Sequence, residues 1–245
     1  MKQIKRQYAI DVCISFLPGA DIINVLSDTG EKKIVSVRNR ESYFVHSILK
    51  KWYVECSYKR CDAIVAVSEV VRRDTMQYFG VPSQKMVTIH NAIMKAAGDE
   101  NCETEFEHFT ENKRIIFNVG RLSIEKGQHF LIRAFAAIAG AYPDVCLVIL
   151  GEGEERKKLE VLIRNLNLQD RVLLAGHKSN PSAYLKRGEL FVLSSTIEGM
   201  PNVLLEAMQA GLPVLSTECG AREILAPETD VMQQTAVDVF EKAAK

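Results

Sequence analysis

Two short stretches hold the residue types from which an anion- and hydroxyl-binding site is built. In "FNVGRLSIEKG" an apolar run ends in Gly120, Arg121 follows at once, and Lys126 comes five residues later, before a helix expected from about Gly127. Glycine lets a ligand approach the backbone closely, and two cations near a strand end suit a dianionic diphosphate. The same pattern also fits a surface turn with two solvated basic residues. In "IEGMPNVLLEAMQAGLPV" Glu198 lies in the loop after a buried run, and Gly199, Met200 and Pro201 form a turn. Asn202 then opens a helix containing Glu206, eight residues after Glu198. The turn and helix start present backbone N–H groups to an anion. Two carboxylates beside them would accept hydrogen bonds from hydroxyls. Acids next to a phosphate site are self-defeating unless they bind other parts of one ligand, and ribose, diphosphate and hexose in a row have that layout. For each Glu the alternative is a first-turn acid that favours the helix dipole. That explains Glu206 but not the glycine-containing turn and Glu198 together.

The elements that must position these residues alternate along the chain. Val- and Ile-rich runs at 11–17, 33–38, 63–68 and 86–91 read as strands, with helical spacing at 42–61 and 69–79 and punctuation at Gly80 and Pro82. Ser68 is a candidate N-cap for the second of these helices. A polar, acidic stretch without periodicity follows, and 95–112 is expected to be a linker between two domains, 1–94 and 113–245. Further strands are expected at 114–120, 145–151, 171–176, 190–195 and 212–217. Helices fall between them. At 127–140 Phe130, Leu131, Ala134, Phe135 and Ile138 share one face, and at 153–167 Leu159, Leu162, Ile163 and Leu166 point inward. The remaining two lie at about 181–187 and 202–210. Continuous apolar strands alternating with helices imply α/β structure with a parallel sheet covered on both faces, whose ligands sit at the carboxyl ends of the strands. Both motifs fall at such ends.

Composition narrows the class. The 245 residues carry 31 Lys plus Arg against 31 Asp plus Glu, with 47% hydrophobic and 25% charged residues. That is an ordinary globular composition, and it lacks the basic excess of a nucleic-acid binder, so no nucleic-acid partner is expected. The six cysteines form no C-x-x-C pair and read as small buried hydrophobes in a reducing compartment rather than as disulfides or a metal site. The start of the sequence has no signal-peptide core, and no run approaches a membrane span. A cytoplasmic protein is expected, with peripheral contact to the inner face of a membrane as a further expectation. Arg38, Arg40, Lys50, Lys51, Lys59 and Arg60 could contribute to that contact, and solvated surface charge is their other reading.

"GRLSIEKG", "ILGEGEERKKLE", "VLLAGHKSN", "LSSTIEGMPNVLLEAMQAGLPVLST" and "GAREIL" stand in the order and spacing of the family 4-type (glycosyl transferases group 1) glycosyltransferases, and the chain resembles that family from about residue 10 to about 228. The resemblance implies the GT-B architecture, two Rossmann-like domains with parallel sheets, the N-terminal one incomplete. It implies that Arg121 and Lys126 grip the donor diphosphate, that Glu206 bonds the ribose hydroxyls, and that Glu198 faces the transferred sugar. The amides from Gly199 through Met200, Pro201, Asn202 and Val203 would lie along the sugar and phosphates, with Gly120 at the strand end and Lys178 where the family's backbone meets the nucleobase. In the first half "DVCISFLPGADIINVL", "IVSVRNRES" and "AIVAVSEVVRRDTMQYFGVPSQKMVTIHNAI" resemble the family's acceptor domain. His90 and Asn91 close it, with Ala92 where glycine is usual. The family's opening strands have no counterpart before residue 10, and its final strand and crossover helix have none at the end, so a truncated chain is expected.

The function so implied is transfer of a hexosyl unit, with retention, from a UDP-sugar or GDP-sugar to a saccharide or lipid-linked saccharide in surface polysaccharide or glycolipid assembly. No cofactor or metal is expected. A non-catalytic nucleotide-sugar-binding fragment, half of a split enzyme whose partner chain supplies the missing first strands, and a sugar phosphorylase or sugar-phosphate synthase of the same fold are the alternatives.

Overall fold

The computed structural model describes residues 1–93 and 102–226. The described residues divide into two compact units, Met1–Ala92 with Glu198–Met200, and Ile93–Ile197 with Pro201–Ala226. Residues 95–101 of the expected linker and 227–245 of the expected second domain lie outside the described residues.

The first unit runs α1 (Lys2–Gln7), β1 (Val12–Phe16), α2 (Pro18–Leu26), β2 (Lys32–Val37), α3 (Ile48–Arg60), β3 (Ala63–Ala66), α4 (Glu69–Phe79) and β4 (Met86–Thr88), with a 3-10 turn at Glu41–Tyr43 before α3. Its strands form one parallel sheet in the order β1-β2-β3-β4. Ser68 caps α4, its Oγ accepting from the Val71 N–H at 3.3 Å, and Gly80 ends the helix in the left-handed region at φ 63°. The expected helix over 42–61 is shorter, since its first part is the 3-10 turn and a loop.

Helices α1 and α2 have no counterpart among the expected elements. Pro18 sits at the first position of α2, where its missing N–H costs nothing. A buried ion pair ties α1 to the segment that follows α2. Lys5 Nζ donates to Glu31 Oε1 (2.5 Å), Asn24 Oδ1 (2.8 Å) and the Asn24 carbonyl (2.8 Å), which satisfies all three of its protons. Burial raises the Glu31 pKa, but the bonds from Lys5 and Thr29 outweigh it and hold this carboxyl down at about 2.

The second unit contains α5 (Thr104–Thr110), β5 (Arg114–Val119), α6 (Gln128–Ala139), β6 (Val145–Leu150), α7 (Arg156–Asn165), β7 (Val172–Gly176), α8 (Pro181–Leu185), β8 (Leu190–Leu193), α9 (Asn202–Gln209), β9 (Val214–Ser216) and α10 (Arg222–Leu225). Its five strands are all parallel, in the order β7-β6-β5-β8-β9. Every residue of β6 is buried, as expected of a strand with apolar layers on both faces. Three expectations change here. The expected linker is not one beyond Glu103, because Thr104–Thr110 is helical and Phe106, 2% exposed, stacks on Phe117 and meets Tyr184 edge-on. The buried face of α6 is turned, with Leu131, Ile132, Phe135 and Ala139 inward and Phe130, Ala134 and Ile138 exposed. A helix this apolar has two candidate faces, and the sheet selects one. Lastly, of the six free cysteines only Cys61, Cys146 and Cys219 are buried.

Candidate functional site

At the carboxyl ends of β5, β6 and β7 the second unit opens an 11-residue cleft of about 410 Å³, within the size range of small-molecule sites. Val119, Gly120 and Arg121 leave β5, Leu150, Gly151 and Glu152 leave β6, and His177 and Lys178 leave β7, with Pro181 from α8 and Val203 and Glu206 from α9 completing the wall. The strand order explains the gathering. β5 is the middle strand, β6 and β7 lie to one side and β8 to the other, so loops distant in sequence converge.

The turn after β5 is pinned to the end of β8. Ser194 Oγ donates to the Lys126 carbonyl (2.9 Å), and the Thr196 N–H and Oγ1 donate to the Glu125 carbonyl (2.8 and 3.1 Å). Gly127 closes the turn at φ 64°, with no room for a side chain, since a Cβ there would lie 2.1 Å from the Ser194 carbonyl oxygen. The stem of Lys126 runs beside Gly120, where an added Cβ would stand 3.6 Å from Lys126 Cδ. Arg121 is exposed, and its carbonyl accepts from Gln128 Nε2 at 2.9 Å. Burial raises the pKa of Glu125, but a bond from Ser123 and the charges of Lys126 and Arg121 bring it below the ordinary value. Both cations thus lie near Glu125, with Arg121 lining the cleft and the stem of Lys126 beside Gly120.

Lys178, which lines the cleft, pairs its ammonium with Glu103 (2.6 Å). Glu206, on the first turns of α9, is half-buried, and burial pushes its carboxyl up. Pro201 stands at the cap position of α9, so no side chain caps that helix start.

Of the residues singled out in the sequence, the cleft gathers Gly120, Arg121, Lys178, Val203 and Glu206, with Lys126 alongside Gly120. Pro201 and Asn202 begin α9 but do not line the cleft. Glu198, Gly199 and Met200 form part of the loop between β8 and α9 and group with the first unit. Six lining residues had no assigned role: Val119, Leu150, Gly151, Glu152, His177 and Pro181. For Gly151 the signal was its place at the end of a wholly apolar strand in "VCLVILGEGEE", the same signature as Gly120 after β5. Gly151, at φ 148°, brings the two strand ends together, since a Cβ there would meet the Gly120 carbonyl oxygen at 1.9 Å. Glu152 is held by Arg156 Nη1, whose Nη2 reaches the Leu174 carbonyl at 3.1 Å.

Comparison with known proteins places this architecture. Residues 101–243 match the family described as Glycosyl transferases group 1, and residues 2–94 match Glycosyltransferase Family 4. An uncharacterized glycosyltransferase of Methanocaldococcus jannaschii is 37% identical over 180 residues, 71% of this chain and 44% of that protein. The N-acetylgalactosamine-N,N'-diacetylbacillosaminyl-diphospho-undecaprenol 4-alpha-N-acetylgalactosaminyltransferase of Campylobacter jejuni is 34% identical over 182 residues, 73% of this chain and 48% of that protein. The chain thus spans about half the length of these relatives. Among solved structures, Anabaena HepE in complex with UDP and glucose superposes with a TM-score of 0.80 at 20% identity, over 92% of this chain and 64% of HepE. Two all-parallel sheets of this connectivity, matched to both family descriptions along nearly the whole sequence, have one reading: the chain belongs to the glycosyl transferases group 1 family, glycosyltransferases of the GT-B fold.

Proposed function

We propose that the cleft of the second unit binds a nucleoside diphosphate sugar, and that the chain serves the transfer of its hexosyl unit to a hydroxyl acceptor, with retention at the anomeric carbon. The observation that carries this reading is the convergence of Gly120 and Arg121, Lys178, and Glu206, from three separate segments, on one cleft at the carboxyl ends of the strands. In this account Glu206 accepts hydrogen bonds from the ribose hydroxyls, and the backbone at Lys178 meets the base. Arg121 and Lys126 face the diphosphate, and Glu198 with the amides of Gly199 through Val203 faces the sugar. As the bond from the anomeric carbon to the diphosphate oxygen breaks, negative charge grows on the leaving group. Fixed cations and a helix start aimed there lower the barrier without calling on a metal.

Two relatives support the substrate classes. HepE is described with UDP and glucose bound, which favours a uridine donor. The Campylobacter relative is named for a diphospho-undecaprenol acceptor, which favours a lipid-linked saccharide in surface polysaccharide or glycolipid assembly.

Calorimetric titration of the chain with UDP and with GDP tests the donor site. UDP binding is expected, and Glu206→Ala is expected to weaken it about 10- to 150-fold, the worth of a charge-assisted hydrogen bond of ~1.5–3 kcal/mol. A folded chain that binds neither nucleotide would overturn the reading.

A further inference from the structure

The first unit carries a feature the donor site does not use. Helix α3 packs against its sheet through Val54, Ser57 and Tyr58, and turns an apolar surface away from it. Ile48 is 86% exposed, Leu49 71%, Trp52 57% and Tyr53 48%. At 3.6 residues per turn these four form one stripe along the first turns, and Lys59 and Arg60 continue the same face at the end of the helix, both exposed. The helix holds Lys50, Lys51, Lys59 and Arg60 against the single carboxylate of Glu55, an excess of three positive charges in a chain whose net charge is zero.

We propose that this face of α3 docks the chain on an anionic lipid surface, with Ile48, Leu49, Trp52 and Tyr53 seated at the headgroup boundary and Lys59 and Arg60 meeting lipid phosphates. The chemistry separates this occupant from a protein partner. Tryptophan and tyrosine concentrate at membrane interfaces, and an in-plane helix there combines an apolar face with flanking Lys and Arg. Lys59 and Arg60 at the end of the stripe give it the charge complement of lipid phosphates. Such docking would place the chain on the surface that holds a lipid-linked acceptor, although it does not depend on the donor-site reading. Among the described residues no helix is long and apolar enough to cross a membrane, so this contact is with the surface.

Trp52 is the only tryptophan in the sequence and lies in the middle of the stripe, so the protein carries its own reporter. The full chain, without nucleotide, is titrated with phosphatidylcholine vesicles and with vesicles containing phosphatidylglycerol, and Trp52 emission is followed. A blue shift with phosphatidylglycerol, and quenching by brominated acyl chains, are expected. The Lys59→Gln/Arg60→Gln variant, both positions being exposed, should keep the fold by circular dichroism and lose about 25-fold in vesicle partition, roughly fivefold per cation. Trp52 emission indifferent to anionic vesicles would overturn the proposal, as would a double variant that partitions like the parent. A blue shift that appears on concentrating the protein without lipid, with dimers in sedimentation, would also overturn it and assign the face to a second copy.

Discussion

Substituting Gly127 by alanine tests how the cation-bearing turn is held. Gly127 sits at φ 64° and ψ 21°, and an added Cβ would lie 2.1 Å from the Ser194 carbonyl oxygen, a backbone atom at the end of β8. A side chain in the left-handed region costs ~1–2 kcal/mol. Relieving the clash requires the turn and β8 to part by about 1 Å, and forcing apart packed backbone costs typically ~1–3 kcal/mol. Loss of about 2–5 kcal/mol is therefore expected, read as a shift in the urea unfolding transition by far-UV circular dichroism. Two other glycines separate the contributions. Gly211 has φ 84° but open space around its Cβ position, so Gly211→Ala should cost only the backbone strain. Gly140 has φ −69° and open space, so Gly140→Ala should be neutral or stabilising by ~0.4–1 kcal/mol. Parting the turn from β8 also strains the bond from Ser194 Oγ to the Lys126 carbonyl, so Gly127→Ala should weaken UDP binding while Gly211→Ala leaves it unchanged. If Gly127→Ala unfolds within about 1 kcal/mol of Gly211→Ala, the contact with Ser194 does not hold the turn and the reasoning fails.

Other outcomes follow from burial and charge. Burial raises the Glu206 pKa above its ordinary value, whereas ribose hydroxyls favour the carboxylate, so UDP affinity should fall on acidification at a higher pH than for an ordinary glutamate. Without ligand the sign is opposite, and protonating Glu206 stabilises the fold. Titrations at about pH 7 and pH 5 with the parent and Glu206→Gln should show an excess pH dependence only in the parent, because the nucleotide's own titration is common to both. Glu31 has its pKa lowered from 4.5 to about 2, so its stabilisation is complete above 4.5 and is lost as pH falls towards 2. Glu31→Gln leaves Lys5 buried without its carboxylate, which should cost ~3–5 kcal/mol and flatten the acid limb of the stability curve measured by urea unfolding. Phe106→Ala should destabilise the second unit by ~3–5 kcal/mol in the same assay, a loss that a mere tether between domains would not suffer.

β6 was legible because a parallel sheet buries it whole. The observed limits of "VCLVIL", 145–150, fall one residue short of the expected ones, and Gly151 adds only an isolated bridge to Gly176. Short elements were not legible for a physical reason. Helix α5 spans seven residues with two phenylalanines among acids, too few turns for a period to show, and only tertiary packing reveals that Phe106 is core. Lys5 reads as a surface charge until Glu31 and Asn24 are brought to it from 26 and 19 residues away. In the site, Gly120, Arg121 and Glu206 announce themselves by type and spacing. Glu152 and His177 do not, because their place depends on β6 and β7 lying beside β5, an adjacency that the linear order hides.

The most direct test of the account is amide hydrogen exchange of the chain with and without saturating UDP. Slowed exchange is expected together in four segments, the ends of β5, β6 and β7 around Gly120, Gly151 and His177 and the start of α9 through Glu206, because one ligand spans them. UDP bound at saturation with none of the four protected would contradict it.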